Sequence, residues 1–272
     1  MPQAQHENIS GWASRIDTVL SNIENPIVRR VVVVESTSST QDAAIEFARD
    51  RQGLLLIASE QTAGRGSYGR SWTDGDRWIL PCTFVVEPIC CDAPTLAASV
   101  ACAVHETLST LMGNMLELKI KWPNDIVVRD EGRDRKVAGI LIEKRAGLTL
   151  VGIGINCTQR RSDWAPELQD YAISLNELGF QVTRLDLVCR LIEHMSAWFG
   201  CCDRTQIRNY YEINNAMVGT LRTFRYNNRC YHGIVEHLDP LEHLVIDTPD
   251  GVHTLPIAQT VHERGDRPCG RK

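Results

Sequence analysis

Residues 64–72, Gly-Arg-Gly-Ser-Tyr-Gly-Arg-Ser-Trp, place three glycines, two arginines and a tryptophan in one short loop. Glycine lets backbone N–H groups turn toward a ligand with no Cβ in the way. A concavity lined by such groups and by guanidinium forks suits carboxylate and phosphate oxygens. The spacing also fits the G-x-G-x-x-G of dinucleotide-binding turns, and the apolar run 54–58 could supply the strand that motif requires. The motif further demands a helix after the third glycine. Residues 70–76 (RSWTDGD) are polar, contain another glycine and have no apolar period, so the dinucleotide reading is set aside. No Gly-Lys-Ser/Thr follows the glycines, which excludes a phosphate-binding P-loop.

Three further segments carry reactive or ligand-binding types. Lys121-Trp122-Pro123-Asn124-Asp125 puts a cation, an aromatic plane, a rigid turn residue, an amide and a carboxylate in consecutive positions. Residues 136–143 (KVAGILIE) start an apolar strand with a lysine, and residues 151–157 (VGIGINC) end one with glycines and an asparagine. Each segment alone reads as a strand end or a solvated lysine; Trp122 reads as a core aromatic.

The elements that must position these groups follow from periodicity. Residues 7–24 carry apolar positions at helical spacing, ending before Pro26, and 31–34 form a short β-branched strand. Ser38, Ser39 and Thr40 stand as N-caps ahead of a helix over 42–50, with backbone N–H groups directed toward a ligand. Strands are predicted over 54–59 and 77–86, and a helix over 95–111. Four short strands follow, 118–121, 125–128, 136–143 and 148–155, separated by polar turns such as 129–134. A helix over 182–199 has Thr183 and Asp186 in capping-box positions. From about 214 to 263, short alternating strands broken by Asn227-Asn228, Asp239-Pro240 and Pro249-Asp250-Gly251 predict a small five-stranded barrel.

The chain has 272 residues, 43% of them hydrophobic, enough for a full core in one or two domains. A net charge of −5 gives no general attraction to nucleic acid or to an anionic membrane, so anion binding must be local. The N-terminus lacks a signal-peptide pattern and no apolar run is long enough to span a bilayer, which points to the cytoplasm. The ten cysteines include adjacent pairs, Cys90-Cys91 and Cys201-Cys202, and no C-x-x-C; buried thiols are expected rather than disulfides. His232 and His237 sit at odd spacing in a strand-like stretch, on opposite faces, and so give no structural metal site.

Taken in order, Ser39-Thr40-Gln41, Gln61 with the 64–72 loop, KWPND, KVAGILIE and GIGIN closely resemble the biotin protein ligases, the biotin–[acetyl-CoA carboxylase] ligases, over roughly 31–263. The resemblance implies an α/β (α+β) fold of the class II synthetase-like biotin/lipoate ligase type. It would comprise an N-terminal helix (1–30), a catalytic biotin/ATP-binding domain (31–212) with a mixed sheet and helices on one face, an SH3-like barrel (213–263) and a disordered tail (264–272). It implies a two-step reaction: biotin and ATP, with Mg²⁺, give biotinyl-5′-AMP, and biotin then passes to a lysine of a biotin carboxyl carrier protein domain. Lys136 and Arg65 would be the catalytic cations. Ser39, Thr40, Gln41, Gln61, Gly64, Arg65, Gly66, Lys136, Gly139 and Ile140 would bind biotin. Arg65, Arg70, Trp72, Asn124, Lys136 and Asn156 would bind ATP and the adenylate, and Asp125 is the candidate metal contact.

Two positions depart from the family pattern. Ser67 stands where the loop usually has a second arginine, and Gln41 where an asparagine usually follows Ser-Thr. The missing guanidinium implies weaker retention of the adenylate, by about one charge-assisted hydrogen bond or 1.5–3 kcal/mol. The short stretch ahead of residue 31 leaves no room for the DNA-binding winged helix of bifunctional members, so a single-function ligase without a nucleic-acid or membrane partner is expected. Monomer and homodimer stay open. The competing readings are a lipoate or octanoate ligase or transferase of the same fold, and a biotin sensor without catalysis.

Overall fold

The computed structural model describes residues 8–49, 52–66, 71–72, 78–86, 91–113, 117–130, 133–201 and 203–263. β1 (Arg30–Thr37) pairs in parallel with β2 (Leu54–Gln61). The short β3 (Gly64–Arg65) and β4 (Ser71–Trp72) form a separate hairpin from the glycine loop. β5 (Ile79–Val86), β6 (Leu118–Lys121), β7 (Asp125–Asp130), β8 (Arg133–Arg145) and β9 (Leu148–Asn156) complete a seven-stranded sheet in the order β1-β2-β5-β9-β8-β7-β6. All its pairings after β1–β2 are antiparallel, so the sheet is mixed.

The strands are apolar on both faces, and each face buries its own cluster. Leu55, Ile57, Leu80, Phe84, Val151 and Ile153 join α1 (Trp12–Leu20), α3 (Ala93–Met112) and α4 (Arg184–Cys201) in the main core. Leu54, Leu56, Val85 and Leu150 alternate to the other face, where they pack on Ala43, Ala44 and Ala48 of α2 (Thr40–Ala48). Helices on one face therefore describe α1, α3 and α4 but not α2. α2 is only nine residues long. It packs over β1, β2, β5 and the central strand β9 on its face.

Helix starts follow the chemistry of their caps. Asp92 accepts from the Thr95 N–H at 2.9 Å, and Thr183 and Asp186 bond each other reciprocally ahead of α4. α5 (Arg204–Asn214), capped by Asp203, was not read from the sequence. It buries little beyond Ile207 and Tyr211, so its apolar stripe is thin.

The C-terminal strands β10 (Leu221–Tyr226), β11 (Arg229–Leu238), β12 (His243–Thr248), β13 (Gly251–Pro256) and β14 (Val261–His262) form an antiparallel sheet in the order β13-β12-β11-β10-β14. Asn227 and Asn228 both adopt positive φ, as a two-residue hairpin turn requires. Phe224, Val235, Leu244 and Ile246 extend the main core, and the Phe224 ring packs at a tilt, 6.0 Å between centres, against Trp122, which is buried.

Two expectations are corrected here. A bulge between Val235 and His237 shifts the β11 register by one, which returns His237 to the side of His232. Among the described residues, the group with metal-like ligand spacing is instead Asp239, Glu242 and His243, whose two carboxylates are already paired with Arg208. Cys230 is disulfide-bonded, while Cys82, Cys102 and Cys157 are buried. Spacing along the chain does not report which thiols meet in space. Among the described residues no helix is long and apolar enough to cross a membrane.

Candidate active site

Three glycines make the floor of a pocket on the α2 side of the sheet. In the β8–β9 register Gly139 faces Gly154 and Leu141 faces Gly152, so all four project to one face. A Cβ on Gly152 would lie 2.4 Å from Gln41 Nε2, and one on Gly154 would lie 2.8 Å from the Trp72 ring. A Cβ on Gly139 would meet Lys136 Nζ at 2.6 Å and Trp72 at 2.7 Å. Gly152, Gly154 and Leu141 were not singled out as site residues from the sequence. Their signal was present in the period-two Gly-Ile-Gly run, which leaves one face of a central strand without side chains.

The wall beside the floor is the N-terminus of α2. Ser39 is the N-cap, yet its hydroxyl makes no capping bond. Thr40 donates its backbone N–H and its hydroxyl to Gln61 Oε1 at 2.7 and 2.9 Å, and Thr83 donates to the Thr40 hydroxyl at 2.9 Å. Gln41 donates Nε2 to the Leu141 carbonyl at 2.9 Å, while its Oε1 is buried without a partner. Trp72 Nε1 is likewise buried and unpartnered. Orphaned polar atoms of this kind cost free energy, and a ligand carrying the complementary donor or acceptor removes that cost.

The mouth holds the cations. Lys136 Nζ sits 2.5 Å from Asp125 Oδ1 and 4.7 Å from the centre of the Trp72 ring. Its backbone is held independently of its side chain: its N–H donates to the Tyr171 carbonyl, and its carbonyl accepts from Ile173 N–H and Asn156 Nδ2. The Arg65 guanidinium forks onto both oxygens of Asp42, at 2.5 and 2.9 Å. That pairing, with help from Arg145 and against partial burial, holds the Asp42 carboxyl down at about 2, and the same hydrogen bond raises the Arg65 pKa.

The structure thus gathers Ser39, Thr40, Gln41 and Gln61 on one wall, Arg65, Gly66 and Trp72 from the hairpin, and Asn124, Lys136, Gly139 and Ile140 from the far side, around one cavity. Three expected residues stand behind it. Asn156 spends Nδ2 on the Lys136 and Ile173 carbonyls, each at 3.1 Å, so it clamps the lysine's strand and does not line the cavity. Gly64 gives room to Trp72, whose carbonyl a Cβ there would meet at 2.6 Å. Asp125 touches the cavity's lysine rather than the cavity. Asn124 donates Nδ2 to the Ile140 carbonyl at 2.7 Å. Ser67 and Arg70 lie outside the described residues, as does the tail 264–272.

The glycine floor predicts a measurable effect. Gly154→Ala forces the Trp72 ring off the floor, an overpacking cost of about 1–3 kcal/mol, hence about ten- to hundredfold weaker ligand binding with the fold retained. Titration calorimetry with the ligand of this cavity, alongside a thermal melt, checks it; wild-type affinity in a folded Gly154→Ala variant would mean that the floor is not the binding surface.

Residues 31–159 match the sequence model of the Biotin/lipoate A/B protein ligase family. Among curated relatives, the biotin–[acetyl-CoA-carboxylase] ligase of Mycobacterium tuberculosis is 28% identical over 251 residues, 87% of this chain and 90% of that one. The corresponding ligase of Paracoccus denitrificans is 29% identical over 241 residues, covering 82% and 96%. The fold is that of the biotin protein ligases: the Aquifex aeolicus enzyme solved in complex with biotin and ATP superposes with a TM-score of 0.76 at 23% identity, over 87% of this chain and all of that one.

Proposed function

We propose that the chain is a biotin–protein ligase that makes biotinyl-5′-AMP from biotin and ATP and transfers biotin to a lysine of a biotin carboxyl carrier domain. The observation that carries this reading is one cavity with two chemistries: buried neutral amides and hydroxyls at the α2 wall, and two cations, Lys136 and Arg65, at the mouth. The wall suits the neutral ureido head of biotin, and the mouth suits the anions that react.

In the first step a carboxylate oxygen of biotin attacks the α-phosphorus of ATP; the bond from that phosphorus to the bridging oxygen breaks, and pyrophosphate leaves. Carboxylate and triphosphate repel, and fixed cations in a water-poor site offset that repulsion best. Both cations are paired with carboxylates, Arg65 with Asp42 and Lys136 with Asp125, so the protein itself orients each of them. Asp125, which bonds Lys136 at the mouth, is the carboxylate that would meet an Mg²⁺ ion arriving with the triphosphate, an ion held mainly by phosphate oxygens and water. In the second step an uncharged lysine amine attacks the acyl carbon, the C–O bond to AMP breaks, and the amine gives its extra proton to solvent.

The buried amide and hydroxyl wall weighs against lipoate or octanoate, whose ends offer no hydrogen-bonding complement to it. Two converging cations weigh against a sensor that only holds a neutral ring. The domain limits 31–212 and 213–263, with the second an SH3-like domain, and a cytoplasmic location belong to the same reading. Pyrophosphate release with ATP and Mg²⁺ should require biotin and be absent with lipoate, and labelled biotin should reach a purified carrier domain. Lipoate-dependent release would favour the sister activity; biotin binding without release would favour the sensor.

A further inference from the structure

We propose that Asp42 and Arg145 are positioning residues for Arg65. Asp42 holds the Arg65 guanidinium in the pairing described above and passes to Arg145 when an anionic ligand takes that guanidinium. The proposal rests on the ligase reading above, in which Arg65 meets the carboxylate and phosphate of the substrates and intermediate.

Asp42 accepts from two guanidinia at once. Arg65 forks onto Oδ2 and Oδ1, and Arg145 Nη1 reaches the same Oδ1 at 2.6 Å. Glu143 stands between the arginines, with Oε2 3.7 Å from Arg65 Nη2 and 3.5 Å from Arg145 Nη1. Two cations and two anions thus tie together α2, the β3–β4 hairpin and the end of β8. Of the four, Arg65 alone lines the cavity.

This arrangement makes Arg65 easy to withdraw. A carboxylate with one partner would be stranded when that partner turned to a ligand, and the stranded charge would oppose binding. Asp42 keeps Arg145 on Oδ1 and also lies in the first turn of α2, where the helix dipole favours an anion. Arg65 can therefore leave without an unpaired charge behind it. The side chains of Asp42 and Arg145 are 33% and 41% exposed, so solvent softens each pairing and the exchange stays reversible.

The two residues then act in opposite directions, which a merely structural role would not produce. Asp42→Asn releases Arg65 to the ligand, and biotinyl-adenylate should leave about two- to fivefold more slowly, the range set by a partly exposed pair. Arg145→Met removes the second partner, so Asp42 holds Arg65 harder and release should quicken by a similar factor. In the Asp42→Asn background Arg145→Met should have a smaller effect than in the wild type, since only the longer Glu143 pairing still links the two arginines. The measurement is the release rate of radiolabelled biotinyl-adenylate preformed on the full chain and chased with unlabelled adenylate. Faster release from Asp42→Asn would show an anchor instead and overturn the exchange, as would additive effects in the double variant or an unaltered rate in Arg145→Met. A wild type that forms no adenylate would overturn the ligase reading and the exchange with it; an active wild type with any of the other outcomes overturns the exchange alone.

Discussion

Lys136→Ala should lower biotin-dependent pyrophosphate release by about 10²–10³-fold, the usual loss when one fixed charge is removed from a developing anionic transition state. The fold should survive, because the lysine's strand is held by backbone bonds to Tyr171, Ile173 and Asn156 that the substitution leaves in place. The variant also uncovers Asp125, whose Oδ1 now bonds the ammonium at 2.5 Å, so a carboxylate would face the incoming phosphates with no cation between. Lys136→Arg is the informative control. It keeps the charge but replaces a compact ammonium with a planar fork, so binding of biotin and ATP should persist while the chemical step slows. Single-turnover pyrophosphate release at saturating substrates separates the two. If Lys136→Ala retained more than a tenth of the wild-type rate, the phosphate-facing role of Lys136 would have to be abandoned.

What was legible in the sequence follows from how local each signal is. β6 matched residue for residue, and β5 and α3 agreed to within two residues at each end, because apolar runs and caps are local. The side of the sheet taken by α2 was not legible: strands apolar on both faces, such as β2 and β5, do not say which face a following helix will cover. Nor was the bulge in β11, which a strict period of two conceals. Around the cavity, residue types pointed to Lys136, Gln61 and Trp72, but not to what they touch. Asn156 looked like a ligand amide and proves to be spent on backbone carbonyls. Asp42 lay inside a predicted helix with nothing to show that two arginines from distant segments would converge on it.

Asp134 is the sharpest instance, and substituting it should have the largest effect on stability. Within 129–134 it reads as one charge of a solvated turn, yet the strands extend to Asp130 and from Arg133, and its side chain is only 7% exposed. Arg129 donates to Oδ1 at 3.1 and 2.8 Å, Arg222 donates to Oδ2 at 2.7 Å, and Lys121 Nζ lies 3.8 Å away. Arg222 belongs to β10, so this carboxylate ties the C-terminal sheet to the seven-stranded one two residues before Lys136. Asp134→Ala removes the buried carboxylate on which Arg129, Arg222 and Lys121 converge, a loss of about 3–5 kcal/mol. Asp134→Ala/Arg222→Met should be less destabilised than Asp134→Ala, since the largely buried Arg222 charge leaves with its partner. Burial pushes the Asp134 carboxyl up, but the hydrogen bonds from Arg129 and Arg222 and the Lys121 charge outweigh it, so the folded pKa lies below the ordinary 3.8. A depressed carboxylate stabilises the fold above its unfolded pKa, and that contribution fades as pH falls through the folded value. Urea midpoints for wild type and Asp134→Asn should therefore differ most near neutrality, begin to approach one another below about pH 4, and meet only once the pH lies below the folded pKa. A gap that stayed constant across that range would assign the loss to packing rather than to the charge.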